Sequence, residues 1–342
     1  MRILVSGHNG YIGQVMVPFL SQAGHEVTGL DTYYYEGCQF EDPPAGFREL
    51  RKDLRDVRAS DLEGHDAVVF LAALSNDALG DLDPALTAEI NHHATVAFAA
   101  EAKRAGVSRF LFSSSCSLYG AQGNDALTEE ADLKPVTPYG VAKAEVEREL
   151  SLLADHDFSP TYLRNATAFG LSPSLRIDLV VNNLTAYAVT TGAVLMKSDG
   201  MPWRPLVHVE DICRAFAAAL EAPAESVTDQ AFNVGRSEEN YRIRQVAEMV
   251  RDIVPNCEVA FAEGAEPDVR NYRVDFTKIG EVLPTFQPRR TVRDGIEELY
   301  RAYVAHGLEK RDLESSRYLR IKTILDLKRR GRLDERLRWR LA

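Results

Sequence analysis

The chain reads as an α/β protein, a doubly wound parallel sheet carrying a smaller α/β lobe. Three observations predict this. Short β-rich apolar runs alternate with stretches of helical periodicity through the first half. A glycine-rich loop joins the first apolar run to the first helical stretch. After about residue 165 the alternation loosens into shorter pieces separated by proline and glycine clusters. Strands that alternate with helices build parallel sheets through right-handed crossovers.

Taken in order, Ile3–Ser6, Glu26–Leu30, Ala67–Leu71 and Arg109–Phe112 read as buried strands. Tyr11–Ala23 and Pro84–Ala105 carry apolar residues at helical spacing, and Ala94, Ala97, Ala99 and Ala100 suit the second helix to close packing on a sheet. Pro138–Asp155 reads as a further helix and Pro160–Arg164 as the next strand. Beyond them, Ile177–Thr190, Val209–Leu220 and Ile243–Ile253 look helical, with short strands at Ala193–Lys197, Leu206–Val209, Gln230–Val234 and Glu258–Phe261. Residues 309–342 hold 12 Lys/Arg against 6 Asp/Glu, so this tail is about +6 while the rest is about −17. Tyr318, Leu319, Ile321, Ile324, Leu325 and Leu327 give it a partly amphipathic helix. That helix is expected to pack on the body or on a second subunit; a basic arm for a membrane surface or nucleic acid is the alternative.

The 342 residues suffice for one large domain or two smaller ones. A net charge of −11 argues against nucleic acid as the main partner. Cys38, Cys116, Cys213 and Cys257 form no C-x-x-C pair, which suits a reduced, cytoplasmic protein. No apolar run reaches the roughly 18 residues of a membrane span, and Met1–Gly7 is too short a run for a signal peptide. His92-His93 has no carboxylate or cysteine at ligand spacing, so no metal is expected.

Gly7-His8-Asn9-Gly10-Tyr11-Ile12-Gly13 follows the first strand and opens the first helix. Glycine serves a tight turn, close approach of a pyrophosphate to backbone N–H groups, and close packing of helix on strand. The arrangement is that of a Rossmann-type dinucleotide fold, with G-x-x-G-x-x-G spacing. Asp31 stands 18 residues after Gly13, at the end of the second strand. A carboxylate there accepts ribose hydroxyls and repels a 2′-phosphate, so NAD is expected over NADP. Asp53-Leu54 is placed to meet the adenine edge, and Leu71-Ala72-Ala73 ends its strand with side chains small enough for a cofactor to lie against.

Tyr139 and Lys143 are four residues apart at the start of a helix and so share one face. A cation beside a phenol favours the phenolate, which can take a proton from a hydroxyl while hydride leaves the same carbon. Ser115, at the end of the strand that starts at Arg109, is placed to hold that oxygen.

In its order of motifs the chain resembles the extended short-chain dehydrogenase/reductase superfamily, and within it the NAD-dependent nucleotide-sugar epimerases and dehydratases. GHNGYIG (7–13), Asp31, DLRD (53–56), LAALSND (71–77), SSSCSLYG (113–120), YGVAK (139–143), RNATAFG (164–170), VVNNL (180–184), WRPLVHVEDI (203–212) and FNVG (232–235) carry the resemblance over roughly residues 1–306. It implies that Ser115, Tyr139 and Lys143 are catalytic and that Asn91 braces the site. It also implies that Ser75, Asn165, Asn183 and Arg204 meet a nucleotide-diphosphate sugar. Arg270 and Arg273 are further phosphate candidates where the chain departs from the better-known epimerases. Similar enzymes pair their long helices across a twofold, so a homodimer is expected. The implied organisation is an NAD-binding domain (1–165) with the catalytic groups, a mainly substrate-binding lobe (166–306) with some segments returning to the first domain, and a basic helical extension (307–342).

In similar 4,6-dehydratases the two residues after the catalytic Ser or Thr are Asp-Glu; here they are Cys116-Ser117. An ordinary elimination would lack its acid and base. Cys116 is a candidate acid/base, although in related 3,5-epimerases the cysteine lies at the position Ser117 fills. The expected activity is therefore NAD-dependent epimerisation of a nucleotide sugar, most simply at C4 through a 4-keto intermediate. A sugar-nucleotide 4-oxidoreductase or ketoreductase, a variant dehydratase, a reductase of a non-sugar carbonyl and a non-catalytic cofactor-bound sensor are the alternatives.

Overall fold

The apolar runs of the first half assemble into one sheet of seven parallel strands. They are β1 (Arg2–Ser6), β2 (Glu26–Asp31), β3 (Arg48–Arg51), β4 (Ala67–Phe70), β5 (Arg109–Ser115), β6 (Ser159–Asn165) and β7 (Gln230–Val234), in the spatial order β7-β6-β5-β4-β1-β2-β3. The computed structural model describes residues 1–75, 80–123, 125–196, 198–261 and 271–340. Strand order reverses between β1 and β4, which pair in parallel. In such sheets a ligand crevice opens at that reversal, beyond the carboxyl ends of the strands. Both faces are covered. Val5, Met16, Leu111, Phe216 and Phe232 fill one side, while Leu4, Phe70, Phe98, Phe110 and Phe158 fill the other.

β5 is longer than its apolar run. Ser113, Ser114 and Ser115 continue it because they pair in register with Leu163, Arg164 and Asn165 of β6. That register sets Asn165 directly beside Ser115. β3 is polar and mostly exposed at the sheet edge, so it lacks an apolar signature. The long helix expected from Pro84 is continuous but not uniform. Pro84–Thr87 is α-helical, Ala88–His93 is a π-helical turn, and Ala94–Arg104 is α-helical again. From the π turn, the Asn91 amide donates to Leu74 O at 3.0 Å and accepts from Leu74 N at 2.8 Å. The asparagine thus fixes the chain just after β4.

The lobe adds a three-stranded sheet in the order Asn240–Arg242, Trp203–His208, Thr167–Phe169. Its strand Trp203–His208 begins three residues before its expected start, because Trp203 and Arg204 pair with Arg242 and Tyr241. The helix Val180–Thr191 packs with Val292–Ala305 around Phe169, Ile177 and Tyr303. β7, although late in the chain, returns to the edge of the main sheet. The tail helix Arg320–Arg329 lies on the body. Ile324, Leu333 and Leu337 join the apolar cluster behind β4 and β5, and Leu313 and Tyr318 join that of the lobe.

Candidate active site

A cavity of about 670 Å³ opens at the strand reversal. The glycine loop forms its floor. A Cβ on Gly7 would meet Ala72 N at 2.8 Å, and one on Gly13 would meet Gly7 O at 2.3 Å, so neither position has room for a side chain. The helix Gly13–Gln22 begins without a side-chain cap, leaving its N-terminal dipole for an anion. At the end of β2, Asp31 accepts from Tyr33 N at 2.7 Å and from Asn9 N at 3.1 Å. Burial raises the Asp31 carboxyl above its ordinary range, while these two N–H donors and the nearby His8 and Arg320 oppose that. A crowded glycine turn, an uncapped helix and a carboxylate at the strand end together suit the pyrophosphate and ribose of a dinucleotide.

Ser115 caps the 3-10 turn Cys116–Tyr119, its Oγ accepting from Ser117 N at 3.2 Å. The serine O–H is left as a donor toward the cavity it lines. Thr137 caps the helix Pro138–Ser151 and Pro138 stands in its first turn, so Tyr139 and Lys143 lie one turn apart. Gly140 lets this helix approach closely, since a Cβ there would sit 3.2 Å from Ser117 O. The Lys143 ammonium donates to Ser113 O at 2.5 Å and lies 4.4 Å above the Phe112 ring and 5.5 Å from the Tyr139 ring centroid. Burial pushes Lys143 down to about 7, against Glu147 one turn on, which raises it.

This depression has a stability consequence with a definite sign. Between about 7 and its ordinary value of 10.5, Lys143 binds fewer protons folded than unfolded, so stability rises with pH across that window. Below pH 7 the burial penalty is fully present. Lys143→Met is therefore expected to raise the urea midpoint of the cofactor-free protein at pH 6, and to raise it less at pH 9. An equal gain at both values would contradict the depressed lysine.

The expected site residues Gly7, Gly10, Tyr11, Ile12, Gly13, Asp31, Asp53, Leu54, Leu71, Ala72 and Ala73 line the cavity, as do Ser75, Ser115, Tyr139, Lys143, Asn165, Asn183 and Arg204. Asn9 lies just behind the lining, where its Oδ1 accepts from Gln14. The Asp53 carboxylate is gripped by Arg55, at 2.9 Å from its Nε and 2.6 Å from its Nη2, and also faces Arg338. Asn165 donates to Ser113 Oγ at 3.0 Å, and its Oδ1, like Ser117 Oγ, has no hydrogen-bond partner among the described residues. Asn183 donates to Ile177 O at 3.0 Å. Arg204 is buried beside the Tyr272 ring.

Three expected residues lie away from the cavity lining or outside the described residues. Cys116 is fully buried, points away from the lining and donates to Arg164 O at 3.1 Å. Burial pushes its thiol far up, so its place is unsuited to acid/base work, and Ser117 lines the cavity instead. Arg273 does not line the cavity; its guanidinium stacks 4.9 Å from Trp203, and the neighbouring Tyr272 takes the lining position. Arg270 lies outside the described residues. His92 also has a carboxylate partner that its sequence neighbours do not suggest: Glu149, at 2.8 Å, on the helix packed against it. Glu145 adjoins this pair, making a three-residue group with ligand atoms close enough for a metal, although nothing further there points to an ion.

Several lining residues had no signal in the sequence. Arg176 forms an ion pair with Asp178 at 2.5 Å and donates to Ser75 Oγ at 3.2 Å. Tyr34 and Tyr35 follow Asp31, while Leu319 and Arg320 arrive from the tail.

The model of the NAD dependent epimerase/dehydratase family matches residues 3–235. The chain belongs to this family. It is 30% identical over 287 residues to UDP-glucose 4-epimerase of Corynebacterium glutamicum, covering 78% of this chain and 85% of that one. To the UDP-glucose 4-epimerase of Bacillus subtilis it is 30% identical over 264 residues, covering 69% and 77%. The solved structure of MoeE5 in complex with UDP-glucuronic acid and NAD superimposes with a TM-score of 0.77 at 25% identity, over 89% of this chain and 99% of that one. As a member of the epimerase/dehydratase family the chain is an NAD-dependent enzyme. The glycine loop, Asp31 and the strand ends fit that cofactor.

Proposed function

We propose that this enzyme is a nucleotide-diphosphate-sugar epimerase, acting at C4 of the sugar through a 4-keto intermediate. The observation that carries the reading is the convergence of Ser115, Tyr139 and Lys143 on the same cavity as the glycine loop and Asp31. Relatives named UDP-glucose 4-epimerase support a UDP-hexose as the first substrate to try.

Bound NAD supplies hydride acceptance and return at the sugar carbon. Tyr139, in the phenolate form favoured by the Lys143 ammonium, takes the C4 hydroxyl proton and later gives it back. Ser115 donates to the same oxygen and holds it in place. Asn165, aligned with Ser115 across the strand pair, and Ser75, held by Arg176, bound the sugar pocket. Asn183 and Arg204 are assigned to the diphosphate. We assign Cys116 to packing.

The carboxylates among the described lining residues are Asp31, Asp53 and Asp178, each already held by neighbours, and the two residues after Ser115 carry no acid. This supports epimerisation over 4,6-elimination. A 4-oxidoreductase would use the same groups with an exchanging cofactor. UDP-glucose incubated with the purified protein and no added NAD should be converted to its C4 epimer, as followed by ¹H NMR. Conversion only with stoichiometric NAD, and formation of NADH, would favour the oxidoreductase.

We further propose the division into an NAD-binding domain (1–165), a mainly substrate-binding lobe (166–306) and a C-terminal extension (307–342). A cytoplasmic homodimer is also proposed. Val141 and Leu152 on the Pro138–Ser151 helix and its C-cap are exposed, which supports a partner there. Four free cysteines suit a reducing compartment, and no helix among the described residues is long and apolar enough to cross a membrane.

A further inference from the structure

The family match ends at residue 235, yet the cavity wall also contains residues from the last tenth of the chain. Arg320, the first residue of the tail helix, is 2% exposed. Its guanidinium stacks 4.0 Å above the Tyr35 ring and donates to Ser174 O at 3.0 Å and to Ser174 Oγ. Its Nη1 has no hydrogen-bond partner among the described residues. Among the described residues its hydrogen bonds go to Ser174 alone and none reaches a carboxylate. The neighbouring Arg176 differs, being paired with Asp178. A buried guanidinium with no hydrogen-bonded carboxylate is costly, and desolvation holds Arg320 below its ordinary value although the Asp178 charge opposes this. Such a group is in place for an anion.

The surroundings say which anion. Ser174 belongs to the segment that clasps the glycine loop: Tyr11 donates to Gly170 O at 2.7 Å, and Ser172 donates to Tyr11 O at 2.7 Å. Tyr35 follows Asp31, whose carboxyl feels the Arg320 charge. The rest of the tail is tied to the same end of the cavity. Trp339 donates to Thr32 O at 2.6 Å, Tyr34 donates to Leu337 O at 2.6 Å, and Arg338 pairs with Asp53 at 3.5 Å and with Asp56. Arg204 and Tyr272, by contrast, line the cavity from the lobe strand Trp203–His208 and its neighbour Arg273–Val274, to which the tail makes no bond among those described.

We propose that Arg320 is a cofactor-binding residue supplied by the C-terminal extension, its guanidinium meeting a phosphate oxygen of the NAD diphosphate so that the extension closes over the cofactor and retains it. The proposal rests on the family's cofactor and not on the choice of sugar, so its failure would leave the epimerase reading standing.

The test is calorimetric titration of cofactor-stripped wild type and Arg320→Met, separately with NAD and with UDP. The variant should bind NAD roughly 10- to 100-fold more weakly, the loss expected of one charge-assisted contact. Its UDP affinity should stay within about twofold, and its cofactor-free thermal midpoint should be unchanged or higher, because an unpaired buried charge is gone. Unchanged NAD affinity would overturn the proposal. So would a selective loss of UDP affinity, which would assign the arginine to the sugar nucleotide. Hydrogen exchange on the wild-type protein needs no variant: NAD, and not UDP alone, should slow exchange across residues 316–340, and no change there would also overturn it.

Discussion

Tyr139→Phe is expected to lower turnover by about 10²- to 10⁴-fold while leaving NAD bound and the fold intact. The ring keeps its place above the helix start, near the Lys143 ammonium, and only the hydroxyl is lost. Without it the phenol that the Lys143 charge would activate is gone. Water would have to carry the proton at ordinary acidity. Steady-state kinetics, with bound NAD measured after acid release, checks this. Near-full turnover with normal NAD content would remove Tyr139 from the mechanism.

The second large effect is on stability. Arg164 and Glu147 form an ion pair at 2.6 Å with both side chains 7% exposed, behind the serine strand and outside the cavity. Ser114 also donates to Glu147 at 2.5 Å, and Arg164 donates to Tyr119 OH at 3.0 Å. Glu147→Ala leaves a buried guanidinium without its counter-charge, at an expected cost of about 3–5 kcal/mol. Replacing both partners by apolar residues of similar volume, as in Glu147→Leu/Arg164→Met, should recover much of that loss. Urea denaturation of the two variants distinguishes the outcomes. If the single variant were as stable as wild type, the pair would not hold β5, β6 and the Tyr139 helix together.

What was legible in the sequence was chemistry with a local signature. Gly7, Gly10 and Gly13 must be small because backbone atoms crowd them, and that requirement is visible as spacing. Tyr139 and Lys143 meet because one helical turn separates them. Contacts made by distant segments were not legible. Ser115 was expected to end its strand, but the register that sets Ser113–Ser115 beside Leu163–Asn165 is fixed by pairing with a distant segment. Cys116 and Ser117 look equivalent as a dipeptide, but the 3-10 turn buries one and presents the other. Arg320 stands in a basic tail expected to pack as a helix on the body or on a second subunit, but nothing local singles it out; its burial depends on Tyr35 and Ser174, about 285 and 146 residues away along the chain. Asp53 lines the cavity as expected, but its grip by Arg55 and the approach of Arg338 from the far end of the chain had no signal in the sequence.

In the proposed reaction, hydride leaves C4 of a nucleotide sugar and returns to the same carbon without leaving the enzyme. UDP-glucose deuterated at C4, incubated with the purified protein and no added cofactor, tests it by NMR and mass spectrometry. The C4 epimer should form with the deuterium still at C4, and unlabelled UDP-glucose turned over in D₂O should gain no deuterium at C3 or C5. Loss of the label from C4, or deuterium gained from D₂O at the neighbouring carbons, would contradict this.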